Sequence, residues 1–112
     1  MRKLESFQPR ARRPADFDEF WADVLAQTKA VPLRPEIERI ALRSTSEVDV
    51  FRVHFDSLDG VRIAGWYCVP AGITKRLPGM LLVPGYISDP PIPRKLAANG
   101  HAVLSVGPRG KI

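Results

Sequence analysis

The chain has 112 residues, 45% of them apolar and 26% charged, with a net charge of +5. That length admits one domain at most, or part of a larger one, and the composition is ordinary for a soluble globular protein. A single cysteine, Cys68, excludes an internal disulfide and fits a reducing, cytoplasmic compartment. No apolar run is long enough to span a membrane.

The N-terminal stretch MRKLESFQPRARRP is basic but carries no apolar segment of the kind a signal peptide needs. Arg2, Lys3, Arg10, Arg12 and Arg13 face only Glu5 in charge. Such a run can bind nucleic acid, but Phe7 is the only aromatic residue among them and no nucleic-acid motif follows. Residues 1–13 therefore read as a solvated, disordered basic arm, with no nucleic-acid partner.

In ADFDEFWADVLAQTKA, Phe17, Phe20, Trp21, Val24 and Leu25 recur at i, i+3, i+4, i+7 and i+8, which predicts an amphipathic helix. Asp16, with Glu19 three residues on, gives it a start resembling a capping box. A stripe of this kind ordinarily packs on its own domain. Pro32 and Pro35 then stop the helix.

VDVFRVHFDS alternates, with Phe51, Val53 and Phe55 on one side and Arg52, His54 and Asp56 on the other. That is the signature of a half-buried strand. Asp59-Gly60 is a tight-turn signal, and VRIAGWYCVP returns, so residues 48–69 form an antiparallel hairpin. His54 falls on the polar side and Cys68 among strand residues, and both read as structural. MLLV is a continuous apolar run, as in a strand covered on both faces. PIPRKLAANG reads as a short helix stopped at Asn99-Gly100, and HAVLSV is another apolar strand. Strand, loop, helix and strand make a β-α-β crossover, hence a parallel pair.

Between those last elements lies VPGYISDPP, which can be neither helix nor central strand. No glycine-rich phosphate loop is present, and two distant histidines with one cysteine have no metal-ligand spacing, so neither metal nor cofactor is implied.

RPADFDEFWADVLAQ, VFRVHFDSLDGVRIAGWYCVPAG, GMLLVPGY and LAANGHAVLSVGPRGK together resemble the N-terminal portion of the acetyl xylan esterase / cephalosporin C deacetylase family. The resemblance implies an α/β class in which residues 14–112 are an incomplete α/β-hydrolase domain: an N-terminal helix, an antiparallel hairpin, then a β-α-β parallel unit. It implies a serine carbohydrate esterase that removes acetyl groups from small acylated sugars and cephalosporin C, with no membrane partner, and assembled as a homo-oligomer, commonly a hexamer. In the family, the strand matching MLLV is followed by His-Gly-Tyr. The tyrosine N–H helps form the oxyanion hole and its side chain borders the acyl pocket. Those positions are Gly85 and Tyr86 here, and Gly85 is expected to allow a tight turn.

Three departures follow. Pro84 stands in place of the family histidine, and a proline has no N–H and a fixed φ. At the other end, Arg109-Gly110-Lys111 replaces Arg-Gly-Gln. More important, none of Ser6, Ser44, Ser46, Ser57, Ser88 and Ser105 lies in a G-x-S-x-G elbow. The resemblance thus places the Ser-His-Asp triad beyond Ile112. His101 precedes an apolar strand, at the end opposite to the usual chemistry.

The resulting expectation is an esterase fragment that carries the oxyanion loop and is inactive by itself. The alternative is a non-catalytic remnant that acts as a binding or self-association module. In the hydrolase order HAVLSV lies between the hairpin and MLLV, which leaves MLLV as an apolar edge and the isolated chain marginally stable. A sharp, cooperative thermal transition of a monomer would overturn that last expectation.

Overall fold

A computed structural model describes residues 11–86 and 88–108. Most of the basic arm, and Arg109, Gly110, Lys111 and Ile112, lie outside the described residues. The chain divides into two units, one running to Ala30 and one from Val31.

The first unit contains helix α1, Phe17–Ala30. Its first turn is set where the sequence predicts, with the Phe20 N–H donating to the Asp16 carbonyl at 2.9 Å. Asp18 and Glu19 in the first turn and Lys29 in the last complement the helix dipole. Arg13 pairs with Asp18 and lies over the Phe17 ring, 4.6 Å from its centroid. Within this unit the apolar stripe is not packed away: no residue of α1 is buried, and Trp21 is 47% exposed. Its rings pack on one another instead, Phe20 edge-on to Trp21 at 5.6 Å. Periodicity identifies an apolar face but does not say what covers it.

The second unit is a five-stranded sheet in the order β1-β2-β3-β5-β4. The strands are β1 Glu36–Arg39, β2 Val48–Asp56, β3 Arg62–Pro70, β4 Gly79–Leu82 and β5 Ala102–Gly107. A short helix, α2 Arg94–Ala98, links β4 to β5. The predicted hairpin is present, in register from Val48 opposite Pro70 to Asp56 opposite Arg62. Asp59 and Gly60 turn it with φ of 56° and 70°, the left-handed backbone that this dipeptide favours. The predicted crossover is present too, with β4 and β5 parallel and α2 closed by Gly100 at φ 89°.

Strand β1 is the element that sequence pattern missed. The prolines before it suggest only a break, yet residues 36–39 pair antiparallel with β2. The entry is anchored by the Asp56 N–H, which donates to the Leu33 carbonyl at 2.7 Å. Charged partners line this strand: Glu38 with Arg52, Arg39 with Asp49, and Glu36 with Arg62.

Register explains the core. Val50, Cys68, Val103 and Met80 stand opposite one another across four strands, and the first three are fully buried. With Val48 they meet Ala97 of α2, while Leu82, Ile92 and Leu96 pack at the margin. The same face of β2 turns from Val48 and Val50 to Arg52, His54 and Asp56, so it is apolar under α2 and charged beyond it. On the opposite face the corresponding row is Phe51, Tyr67, Leu104 and Leu81. It is only half-buried and ends on Leu81, which is 61% exposed. The expectation that MLLV is covered on both faces therefore holds on one face only. Gly65 opposes Val53, and a Cβ there would lie 2.8 Å from the Ser105 carbonyl oxygen, so close strand approach requires glycine. No helix of the described residues is long and apolar enough to cross a membrane.

Candidate functional site

In a parallel pair, loops at the carboxyl ends of the strands are the usual place for chemistry. The loop after β4 is such a loop. It runs through Val83, Pro84, Gly85 and Tyr86, and returns through Ser88, Asp89, Pro90, Pro91, Ile92 and Pro93 to α2. Its return is held by packing: Pro90 and Pro93 are buried, and the Arg94 N–H donates to the Ile92 carbonyl at 2.9 Å. The Pro-rich run, unusable in a helix interior or a ladder, thus serves as a stiff anchor for the loop.

Tyr86 sits at the outer part of this loop with its side chain 97% exposed. Gly85 precedes it, and the Ser88 hydroxyl makes a long hydrogen bond, 3.4 Å, to the Gly85 carbonyl. Gly85 does not take a positive φ. A Cβ there would make only ordinary contact, 3.4 Å from the Ser88 Oγ. The tight turn expected of Gly85 is therefore not a left-handed one. Beside the loop, Leu82, Pro91, Ile92, Pro93, Arg94, Lys95 and Leu96 line a groove of about 500 Å³. Tyr86 does not line it. The sequence signal for this groove was Ile92 and Leu96 at i, i+4 spacing next to an apolar strand end, which was read only as a short helix.

The other polar candidates have structural places. The Ser44 hydroxyl donates to the Ile40 carbonyl and accepts from the Val50 N–H, both at 3.0 Å. Ser105 is fully buried on β5, and its hydroxyl has no hydrogen-bond partner among the described residues. His54 is half-buried opposite Ala64. His101 is half-buried just before β5, away from the carboxyl ends of the parallel strands. Burial pushes the Cys68 thiol up to about 11, against a smaller downward pull from the Arg94 charge. A protonated, enclosed thiol is a packing group rather than a nucleophile. Among the described residues no three His, Cys, Asp or Glu side chains gather as metal ligands.

This arrangement matches known proteins along its whole length. The acetyl xylan esterase family matches residues 1–112. Among solved structures, the acetyl xylan esterase from Paenibacillus sp. R4 superposes with a TM-score of 0.83 at 28% identity, covering 98% of this chain and 36% of that one. Acetyl xylan esterase 1 from Thermoanaerobacterium sp. JW/SL YS485 gives 0.84 at 25% identity, covering 98% and 35%. The chain thus spans about a third of the length of the esterases it matches. The helix, the mixed five-stranded sheet and the β4 loop all lie inside that match, and the chain belongs to the acetyl xylan esterase family.

Proposed function

We propose that this chain is the N-terminal, oxyanion-loop portion of a serine carboxylic-ester hydrolase that removes acetyl groups from acylated sugars or cephalosporin C. The observation that carries this reading is Pro84-Gly85-Tyr86 at the carboxyl end of parallel strand β4, within a family match over the whole chain. In acyl transfer a serine Oγ bonds to the acetyl carbonyl carbon, and the carbonyl oxygen takes up negative charge. A fixed N–H aimed at that oxygen stabilises the transition state by about 2.7–4 kcal/mol. α/β-Hydrolases take one such donor from the loop after the third strand of their sheet, and Tyr86 N–H is the donor here. Pro84 has no N–H, so the loop offers no donor at that position.

The 112 residues contain no G-x-S-x-G elbow. Nucleophile, base and orienting acid must come from outside this span, and the chain by itself is inactive. The working protein is a cytoplasmic homo-oligomer acting on small acetylated substrates. The apolar β4 edge favours a second reading, self-association without catalysis.

The experiment is a chimera in which this chain replaces the matching third of the Paenibacillus esterase, assayed for acetate release from p-nitrophenyl acetate and an acetylated sugar. Tyr86→Pro, which deletes the N–H, should lower kcat by roughly 10²–10³-fold with KM little changed. Tyr86→Phe, which keeps it, should not. Equal kcat in a folded Tyr86→Pro chimera would remove Tyr86 from the chemistry.

A further inference from the structure

We infer that Ser88 is a positioning residue for the oxyanion donor: its hydroxyl holds the Gly85–Tyr86 peptide so that the Tyr86 N–H keeps one direction. This rests on the esterase reading above and names how the donor of that same site is aimed.

The peptide unit gives the first argument. The Gly85 carbonyl and the Tyr86 N–H belong to one planar amide, and in a trans peptide they point in opposite directions. A group that fixes the carbonyl therefore fixes the N–H as well. The Ser88 hydroxyl donates to the Gly85 carbonyl oxygen at 3.4 Å. A Cβ built on Gly85 would lie at the same distance, 3.4 Å, from the Ser88 Oγ, so the hydroxyl rests against Gly85 itself. A hydrogen bond accepted by the carbonyl also polarises the amide, which strengthens the N–H as a donor on the far side.

The flanking chain gives the second argument. Gly85 has no side chain to restrict it, and rotation about its ψ would swing the peptide and the N–H with it. On the N-terminal side Pro84 is half-buried and its ring fixes φ. On the C-terminal side Ser88 stands two residues before Pro90, which is buried. Asp89, as the residue preceding a proline, is restricted to extended backbone. Ser88 is thus tied to the packed return of the loop, and its hydroxyl passes that restraint to the glycine. Packing of the tyrosine ring cannot do this, because Tyr86 is 97% exposed.

The first test uses this chain alone. In 15N relaxation, Ser88→Ala should lower the order parameter of the Tyr86 amide into the flexible range, below about 0.6. The Ala97 amide in α2 should be unaffected, and Ser88→Thr, which keeps the hydroxyl, should keep Tyr86 ordered. The second test uses the chimera described above. Ser88→Ala should lower kcat about three- to tenfold, the worth of one ordinary hydrogen bond, with KM little changed. The loss is smaller than that from Tyr86→Pro because the donor is loosened and not deleted. Ser88→Thr should restore kcat. In the Tyr86→Pro background Ser88→Ala should cost nothing further, since no N–H remains to be aimed. Three outcomes overturn the proposal: a Tyr86 amide equally ordered in Ser88→Ala, a loss confined to KM or absent altogether, or the same loss of kcat with and without the Tyr86 N–H. If Tyr86→Pro itself leaves kcat unchanged, the esterase reading of Tyr86 fails, and the amide measurement still decides whether Ser88 holds the peptide.

Discussion

The two edges of the sheet are the same length and are built differently. β1 ends the sheet with Glu36, Glu38 and Arg39, each paired to a charge on β2 or β3. β4 ends it with Met80, Leu81 and Leu82 and no charge. Exposure alone does not separate them, because Ile37 on β1 is 60% exposed and Leu81 on β4 is 61% exposed. The neighbours separate them. A lone apolar residue among ionised ones cannot recruit another chain, whereas an uncharged apolar edge can. β1 has the makeup of a strand that faces water, and β4 that of a strand that is covered.

The largest test concerns what ties the two edges together. Val103 is fully buried between Cys68 and Met80. Val103→Ala removes two methyl groups and leaves a cavity, and should cost about 2 kcal/mol. A urea titration would show it as a lower midpoint with an unchanged slope. If fluorescence of Trp66 and exchange on β4 then report separate transitions, the edges belong to different cooperative units and the comparison breaks.

The same row predicts a pH effect. The Cys68 thiol ionises near 11 in the folded chain and near its ordinary value of 9.0 when unfolded. Between those values the folded state holds the proton more tightly, so its stability is complete below pH 9 and declines as pH rises toward 11. Thermal melts across that window should show the decline, and Cys68→Ala should flatten it. Below pH 9, a thiol reagent should label Cys68 only after denaturation.

The smallest change in folding energy separates the edges most directly. Leu81→Lys and Ile37→Lys should each alter stability by no more than about 0.5 kcal/mol. Turbidity on warming should nevertheless fall in the first and stay unchanged in the second. Equal behaviour would mean that β4 is no more adhesive than β1.

The sequence made the hairpin and the crossover legible because each rests on local chemistry, while the strand order was implied by the family resemblance. Asp59-Gly60 supplies left-handed backbone, Asn99-Gly100 stops a helix, and an apolar strand–helix–strand leaves only one economical connection. β1 was not legible, since its pairing depends on partners that lie ten and more residues away in the chain, such as Arg39 with Asp49. The α1 stripe was legible as a face, but what covers it is not a local property. At the candidate site, Tyr86 was singled out by the family resemblance alone. Its exposure, the non-left-handed Gly85 and the groove beside α2 depend on how Pro90 and Pro93 seat the loop, and no spacing encodes that.

The strand order also fixes a schedule. β5 is the last of the described strands, yet it lies between β3 and β4. During synthesis β2 and β3 can zip together as soon as they emerge, because their contacts are local. β4 follows with nothing to pair with until α2 and then β5 have appeared. Val103 must then enter between Cys68 and Met80, closing contacts far apart in sequence, and such closures are slow. For that interval the ribosome-bound chain presents an uncharged apolar strand with both of its sides open. This is the window in which a chaperone has most to grip.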